Sequence, residues 1–543
     1  MIRTSIKNAI RDSPLVLINA LSGCLCDKSE QAAAFESTPA FTTLIASTTT
    51  HIDHALIEQV VGDFYRYATF SHTWQGSEPL YEKVVEIVVY GLKASPTHEK
   101  LQMFCKIVRD EGFIWAWSDT CCVDQKDPSV LQESLVSMFK WYEGSVMTII
   151  FLYDVDELAE LGALTRSRWN SRGWTLQEYH ASKVVRIYTK DWTPYLGLTI
   201  YNHKESPEII SEMEEATGIS AQALMTLRPG LKDIREKLRL ASTRQTTRVE
   251  DAAYSLLGIF SMPLPVTYGE GDKALGRLLS QLLMSSGDTG ILAWSGRSGS
   301  FNSCLPINII VFSQPTTSHI PIAIPDAEMA TITTGLHASE LDLDLVTRLY
   351  NRVDELPTPT FAGQRMRLPC FTFGIRAISP FRKGSEIVFR AQTSALGVVV
   401  IKSRHNIAGL DSLYLVHPWI DFLLNRHAAG NIADIASHEN ETLELDDFPS
   451  FDSFPDLSSA LDADPLDDGL LPSPTTVPLM DAQMEFLARL RQPFGALLLA
   501  PTRRNVAEYR RIATENPITV QVQEITSAML NRLIQGVRVL DVL

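Results

Sequence analysis

The chain has 543 residues, 45% of them hydrophobic and 21% charged, and it carries a net charge of -16. This length predicts two or three packed units rather than one core, and the composition is that of an ordinary globular protein. The acidic net charge and the lack of a strongly basic stretch argue against nucleic-acid binding. No run of about 20 apolar residues is present, which argues against a membrane span. Neither nucleic acid nor membrane is therefore expected as a partner.

Cysteine usage indicates a reducing compartment. The seven cysteines are odd in number and scattered along the chain, unlike the disulfide framework of a small secreted protein. The start of the chain loosely imitates a signal peptide, but Asp12 and Pro14 interrupt its apolar run. We therefore expect a cytoplasmic protein.

The first 200 residues predict a leader followed by an α/β unit. Residues 1–60 show no clear period and are interpreted as a partly ordered leader. Within residues 61–200, β-branched and aromatic runs alternate with amphipathic helices. The predicted strands are RYATFS (66–71), FIWAWSD (113–119), VMTIIFLYD (146–154) and KVVRIYTKDW (183–192). This alternation predicts a parallel sheet covered on both faces, with ligands bound at the carboxyl ends of the strands.

The composition and the apolar pattern divide the rest of the chain into four predicted segments. Residues 201–299 form a helical extension, in which VEDAAYSLLGIF (249–260) has the pattern of an amphipathic helix. Residues 300–437 hold short β-type runs such as INIIVF and LGVVVIKS and predict a separate β-rich domain. Residues 438–480 are acidic, lack apolar periodicity and are interpreted as a disordered insertion. Residues 481–543 are expected to complete the β-rich domain.

Five motifs stand in order along residues 65–280. They are YATFSHTWQG (67–76), WSDTCCVDQ (117–125), SMFKWY (137–142), SRWNSRGWTLQE (167–178), and RQTTRVEDAAYSLLGIF followed by YGEGDKALGRL (244–278). Together they closely resemble the fungal heterokaryon-incompatibility (HET) domain family. The resemblance implies a role in self/non-self recognition, in which fused fungal cells that carry incompatible alleles are killed. It says nothing about residues 300–543.

The HET fold in turn resembles the Toll/interleukin receptor (TIR) domain, which implies a TIR/flavodoxin-like parallel sheet with flanking helices. Enzymatic TIR domains cleave NAD with the glutamate of a Trp-Cys-x-x-Glu motif that follows the third strand. Here Trp174 and Glu178 have the same spacing at the same point of the strand order, with Thr175 in place of the cysteine. The resemblance implies that Glu178 is catalytic and that NAD is a substrate, with no resident cofactor.

The chemistry of NAD cleavage suits these residue types. Breaking the nicotinamide–ribose bond builds positive charge on the sugar, which a carboxylate stabilises, and the nicotinamide leaves as a neutral molecule. An aromatic ring, Trp174 or Trp169, can pack on the base, an arginine can pair with the pyrophosphate, and loop amides can bind phosphate or ribose. The residues expected to contact the nucleotide are Ser71, His72, Thr73, Trp74, Asp119, Arg168, Arg172 and Trp174. No metal site is expected, because Cys24-x-Cys26 is too closely spaced for zinc.

The sequence leaves an ordinary structural interpretation open for each of these residues. Glu178 is then a solvated or ion-paired acid of a helix, and Trp174 is a core residue. Arg168 and Arg172, four apart on one helical face, are then the partners of nearby acids.

Two other functional interpretations also stay open. Cys121 and Cys122, with His72 in a nearby motif, allow a cysteine nucleophile, although cysteines at the end of a buried strand are usually inert. Alternatively, the chain is a non-enzymatic TIR-like scaffold that signals by self-association. The expected partners are a second copy bound through the HET domain and an unknown protein trigger.

Overall fold

A computed structural model gives the fold of the chain. The residues that it describes are 1–48, 53–313, 331, 334–335, 341–383, 386–403, 406–410, 412–419, 479–502, 505–522 and 524–543. The predicted acidic insertion lies outside the described residues, except for residues 479–480, which begin a helix.

The described residues form two sheets, and the first has six strands. They are β1 (Val16–Asn19), β2 (Leu25–Asp27), β3 (Tyr67–His72), β4 (Trp115–Ser118), β5 (Met147–Phe151) and β6 (Val185–Tyr188). They lie in the order β2-β1-β4-β3-β5-β6. The last four are parallel, and β1 and β2 add antiparallel strands at one edge. Counted among themselves, the parallel strands have the order 2-1-3-4, so the chain changes its direction across the sheet between β3 and β5.

The parallel strands form where the sequence is apolar, because helices cover both faces of the sheet. Every residue of β3, β4 and β5 is buried. The helices between the strands are α5 (Tyr81–Gly91), α6 (Pro96–Asp110), α7 (Pro128–Gly144), α8 (Ala163–Arg166), α9 (Arg168–Ser171) and α10 (Trp174–Ala181). Ser95 and Asp127 cap α6 and α7, each followed by a proline in the first turn. The prediction of an α/β unit with a parallel sheet is confirmed.

The first 60 residues are not the partly ordered leader that the sequence predicts. Strands β1 and β2 extend the sheet, with Ile18 paired to Ala116 of β4. The accompanying helices are α1 (Ile2–Arg11), α2 (Lys28–Glu36), α3 (Pro39–Thr48) and α4 (His54–Phe64). They bury a small core around Ile6, Phe35 and Val61. Strands of three and four residues are too short to show a period, so their pairing could not be seen in the sequence.

Five α-helices lie between β6 and residue 290. They are α11 (Pro207–Thr217), α12 (Ala221–Thr226), α13 (Ile234–Ser242), α14 (Asp251–Tyr254) and α15 (Lys273–Ser286). The predicted helix over residues 249–260 is wrong in length, since α14 has four residues, and Val249 is 60% exposed. The other apolar residues of its predicted face are buried: Ala253, Leu256, Leu257 and Phe260. The chain after α14 packs closely against α7 and does not continue as a helix. A Cβ on Gly258 would lie 2.1 Å from Phe139 Cβ of α7.

The second sheet forms a β-rich C-terminal region, as predicted. Its strands are β7 (Thr360–Ala362), β8 (Arg365–Lys383), β9 (Glu386–Thr393), β10 (Val398–Lys402), β11 (Tyr414–Pro418), β12 (Phe494–Thr502), β13 (Asn505–Arg511), β14 (Ile518–Val520) and β15 (Val537–Val542). The main path is β10-β9-β8-β11-β12-β13-β15. The helices α16 (Leu343–Asp354), α17 (Leu479–Leu490) and α18 (Ser527–Gly536) accompany it. The predicted strand INIIVF is wrong, since Ile309–Ser313 form a 3-10 helix.

The helices are short. The longest in the described part of the chain, α7, has 17 residues, and none there combines the length and the apolar character that crossing a membrane requires.

Candidate active site

Glu178 lies on α10 and faces the carboxyl end of the central strand β3. α10 begins directly after Gly173, where an added Cβ would lie 2.5 Å from Thr246 Cγ2, so only glycine fits without displacement. The Gly173 N–H donates to the Gln245 carbonyl at 2.8 Å, and the Gln245 N–H donates to the Ser171 carbonyl at 2.7 Å. These contacts hold the start of α10 against the neighbouring segment and thereby direct Glu178 toward β3.

We expect Gly173→Ala to lower the free energy of unfolding by about 1–3 kcal/mol, because the new methyl group must displace Thr246. Urea unfolding measures the effect. Gly62→Ala is the matched control: Gly62 lies inside α4 with open space around it, so alanine there should stabilise slightly. Equal stability of the two variants would show that Thr246 yields without cost.

The Glu178 carboxyl ends a chain of buried hydrogen bonds. The Trp169 indole N–H donates to Ser71 Oγ at 2.7 Å, and the Ser71 hydroxyl donates to Glu178 Oε2 at 2.5 Å. Glu178 is only 5% exposed. The Tyr142 hydroxyl of α7 donates to the Phe70 carbonyl at 2.9 Å, and burial and the charge of Glu178 together raise the pKa of Tyr142 well above its ordinary value. The carboxyl is thus held at a defined position beside the end of β3.

The surroundings of Glu178 favour its protonated form. Burial is the largest cause and the negative charge of Asp119 adds to it, while the Ser71 hydrogen bond and the charges of Arg172 and Arg244 act in the opposite direction. The balance raises the pKa of Glu178 to about 8. A carboxyl whose pKa is near neutrality can change its charge when a ligand binds, as catalytic groups often do.

Two arginines stand near Glu178 with different roles. The buried Arg244 guanidinium donates to the Arg172 carbonyl at 3.0 Å, to Thr175 Oγ1 at 2.9 Å and to Asn170 Oδ1 at 3.0 Å. Burial lowers the pKa of Arg244 to about 10, so it remains a cation at neutral pH. The Arg172 side chain is half-buried, and its charge acts on both Glu178 and Asp119. Arg172 forms none of the ion pairs seen in the described part of the chain.

A second polar cluster lies at the end of β3. Lys100 Nζ donates to Glu78 Oε1 at 2.7 Å and lies 2.9 Å from His72 Nδ1. His72 Nε2 lies 3.4 Å from Asp119 Oδ1, and the Trp74 indole donates to Asp119 Oδ2 at 2.9 Å. Burial and the charge of Lys100 lower the pKa of His72, so the ring is neutral at pH 7.

Asp119 supplies the negative charge that acts on Glu178. Burial raises the pKa of Asp119, but the contacts with His72 and Trp74 and the charge of Arg172 outweigh burial and leave that pKa below its ordinary value. Close by, the buried Thr73 Oγ1 has no hydrogen-bond partner among the described residues. Unpaired buried hydroxyls are uncommon in proteins, so Thr73 has a donor and acceptor available for a ligand.

The sequence of the region that carries this site matches one family. Residues 67–163 match the model of the Heterokaryon incompatibility protein (HET) family. The chain carries a HET domain. It is also 34% identical over 231 residues to the Vegetative incompatibility protein HET-E-1 of Podospora anserina, over 40% of this chain and 16% of that protein. The chain thus covers less than two thirds of that relative's length. No solved structure matches the chain. The family expected from the motifs is confirmed.

The structure brings most of the predicted site residues of the HET domain together. Ser71 contacts Glu178 directly, and the charges of Arg172 and Asp119 act on it. The remaining members of the cluster are His72, which ends β3, and Thr73 and Trp74, which follow it. The family match covers these three and Asp119 but ends before Arg168, so the place of Glu178 comes from the structure.

Two predicted site residues lie elsewhere. Arg168 is exposed, and its guanidinium donates to the Tyr153 hydroxyl at 3.0 Å. Trp174 packs on the main core and hydrogen-bonds to Asp251, so Trp169 takes the place beside Ser71. Arg168 and Trp174 do not share a helix with each other, because α9 ends at Ser171 and Arg172 is extended, with ψ of 143°. The assumption of one continuous helical face was therefore wrong.

Three residues near the site were not expected from the sequence: Arg244, Lys100 and Glu78. Arg244 is the first residue of the RQTTRVED motif. That motif could have pointed to Arg244, but the motif was interpreted as structural. Lys100 lies in an amphipathic helix, where lysine is normally solvated, and its burial beside Glu78 depends on how α6 packs.

The alternative chemistries find little support in the geometry. Cys121 and Cys122 are buried, and the pKa of Cys121 is raised by its contact with Cys122 and by burial, whereas a nucleophilic cysteine needs a lowered pKa. Among the described residues, no three His, Cys, Asp or Glu side chains are grouped to hold a metal ion.

Proposed function

We propose that this chain is a heterokaryon-incompatibility protein whose HET domain cleaves NAD at the nicotinamide–ribose bond, with Glu178 as the catalytic carboxylate. The observation that carries the proposal is the Glu178 carboxyl held by Ser71 at the end of β3. The strand order 2-1-3-4 agrees with a TIR/flavodoxin-like sheet, in which ligands bind at the point where the strand order reverses. The name of the relative, a vegetative incompatibility protein, supports the biological role.

The charge state of Glu178 fits a role that begins when NAD binds. With a pKa of about 8, the free carboxyl is mostly protonated at neutral pH. The nicotinamide ring of NAD carries a positive charge, and an adjacent positive charge lowers the pKa of a carboxyl. Binding therefore releases the proton of Glu178, and the resulting carboxylate stabilises the positive charge that develops on the ribose. Nicotinamide leaves with the bonding electrons, and water adds to the sugar carbon and loses a proton.

The remaining residues of the site hold the rest of the nucleotide in this proposal. Arg172 is a half-buried cation that joins no ion pair among the described residues, and it suits a pyrophosphate oxygen. Thr73 Oγ1 is buried and unpartnered, which suits a ribose hydroxyl or a phosphate. Trp169 keeps Ser71 in place through its indole N–H.

Glu178→Gln should abolish NAD consumption by the concentrated full-length protein, measured by the release of nicotinamide, because glutamine cannot become negative. In the wild type, kcat/KM should rise about tenfold per pH unit below pH 8 and level off above it, as the free carboxyl ionises. Glu212→Gln is the control, because Glu212 is a buried acid that binds the Tyr195 hydroxyl outside the site. Equal turnover by folded Glu178→Gln and wild type would refute the proposal.

One observation favours a second function, a scaffold that signals by self-association. Glu178 is almost completely buried and bonded to Ser71, which also describes a structural acid. On this view no protein concentration gives NAD loss, and cell killing survives Glu178→Gln. Killing by the wild type together with loss of killing in Glu178→Gln supports the enzyme instead.

A further inference from the structure

A cleft of about 660 Å³ opens outside the carboxyl ends of β5 and β6. This volume is typical of pockets for small molecules. One wall is a single face of α6, and the opposite wall is the segment that follows β6, with Phe151 and Tyr153 between them. The residues of α6 in the cleft recur at helical spacing: Pro96, Glu99, Lys100, Gln102, Met103, Lys106 and Arg109. The cleft therefore lies where α/β sheets generally bind ligands.

Trp192 presents an aromatic surface in this cleft. It belongs to a tight turn in which the Thr189 N–H donates to the Thr193 carbonyl at 2.9 Å and the two hydroxyls lie 2.7 Å apart. Trp192 has φ of 61°, which is rare for a bulky residue and is found mainly where function requires it. Its ring stacks on Phe151, with centroids 4.5 Å apart and planes at 26°. The ring is thus fixed before any ligand arrives.

The cleft is basic in an acidic chain. Four cations line it against one carboxylate, that of Glu99: Lys100, Lys106, Arg109 and Lys190. Lys100 and Lys190 are engaged by Glu78 and Asp156. Arg109 reaches only its neighbour Asp110, at 3.6 Å, and Lys106 joins no ion pair in the part of the chain that the structure describes. Two cations are therefore available to an anionic ligand.

The cleft adjoins the candidate active site. Lys100 lines the cleft and also contacts His72 and the Thr73 carbonyl. The aromatic rings continue in the same direction, because Phe70 lies 6.1 Å from the Trp192 ring and 4.4 Å from the His72 ring. A ligand in the cleft would thus rest beside the residues that follow β3.

We propose that this cleft binds a nucleoside diphosphate group, with the base stacked at Trp192 and the phosphates at Lys106 and Arg109. A planar base matches the half-buried aromatic ring of Trp192. A diphosphate matches Lys106 and Arg109, since Arg109 has only the neighbouring aspartate as a partner among the described residues, at 3.6 Å, and an arginine can bind phosphate in a bidentate manner. Met103 adds a flexible apolar contact for the base. The group is either a free nucleotide or the ADP half of NAD, whose pyrophosphate would then lie at Lys106 and Arg109 rather than at Arg172. The proposal holds with or without NAD cleavage.

The test is calorimetric titration of ADP into the full-length protein. We expect saturable binding that weakens at least tenfold in the double variant Lys106→Glu, Arg109→Glu, whose two side chains lie at the surface and should leave the fold intact. The matched control is Lys140→Glu, an exposed lysine of α7, which should bind ADP like the wild type. Adenosine and inorganic pyrophosphate, each with half of the recognised group, should both bind at least tenfold more weakly than ADP.

Competition by NAD, measured in Glu178→Gln to prevent turnover, identifies the source of the group. Displacement of ADP by NAD places the ADP half of NAD in the cleft, and ADP binding without displacement assigns the cleft to a free nucleotide. Undiminished ADP binding by the double variant would overturn the proposal, as would pyrophosphate binding as tightly as ADP. These binding results do not depend on whether the wild type cleaves NAD.

Discussion

Glu178→Gln should stabilise the protein more at pH 9 than at pH 5. The change that the substitution makes in the free energy of unfolding should be more favourable at pH 9 by roughly 4 kcal/mol. The pKa of Glu178 is raised from 4.5 to about 8, mainly by burial. Between these pH values the folded wild type holds a proton that the unfolded chain releases. Its stability therefore falls as pH rises through this window and stays low above pH 8. Glutamine is neutral throughout and still offers an oxygen to the Ser71 hydroxyl.

The measurement is urea unfolding of the wild type and Glu178→Gln at each pH from 5 to 9, because the difference between the two proteins cancels the other titrating groups. Glu86→Gln, at an exposed position of α5, controls for the loss of one acid. Parallel stability curves for wild type and Glu178→Gln would mean that the carboxyl ionises in the folded protein as it does in water. The same result would remove the proposed coupling between NAD binding and proton release.

Arg244→Ala should lower the free energy of unfolding by about 3–5 kcal/mol. The change deletes three hydrogen bonds and leaves Thr175 Oγ1 and Asn170 Oδ1 without the guanidinium donor. The Arg172 carbonyl loses the guanidinium too and keeps the Thr175 hydroxyl, at 3.0 Å. These acceptors belong to the connection between α9 and α10, so the helix that carries Glu178 loses its support. The lost positive charge also raises the pKa of Glu178 further, because Arg244 lowers it in the wild type.

Arg248→Ala is the matched control for Arg244→Ala. Arg248 is exposed and lies over the Tyr268 ring at 4.0 Å, so its loss should cost less than about 1 kcal/mol. Arg244→Lys keeps the charge but cannot reach all three acceptors, and we expect an intermediate stability. Thermal and urea unfolding separate the variants. Equal stability of the two alanine variants would show that the buried guanidinium contributes no net support.

Local sequence patterns anticipated much of the fold and the central part of the site. Runs that are apolar throughout became β3, β4 and β5, because strands buried on both faces need no polar alternation. A glutamate shortly after the third parallel strand was expected near Ser71, and the Ser71 hydroxyl donates to it. Carboxyl ends of parallel strands meet at one edge, so order along the chain was enough to bring these two residues together.

Predictions that assumed a regular helix across several motifs were less accurate. Arg168 and Arg172 were expected on one helical face, but the extended Arg172 separates α9 from α10. Val249 was assigned to a buried face, yet α14 stops after four residues. In both segments contacts distant in sequence, Gly173 with Thr246 and Gly258 with Phe139, determine where the chain can pass.

The family, the parallel sheet and the position of Glu178 in the strand order could all be inferred without the fold. These depend on residue type and periodicity, which are local properties of the chain. Three features became apparent only from the folded chain: Trp169 rather than Trp174 supports Ser71, Arg244 is buried beside Glu178, and a basic cleft lies in front of Trp192. Burial and the approach of charges depend on segments far apart in sequence, and these alone set the pKa of the carboxyl and the shape of a cleft.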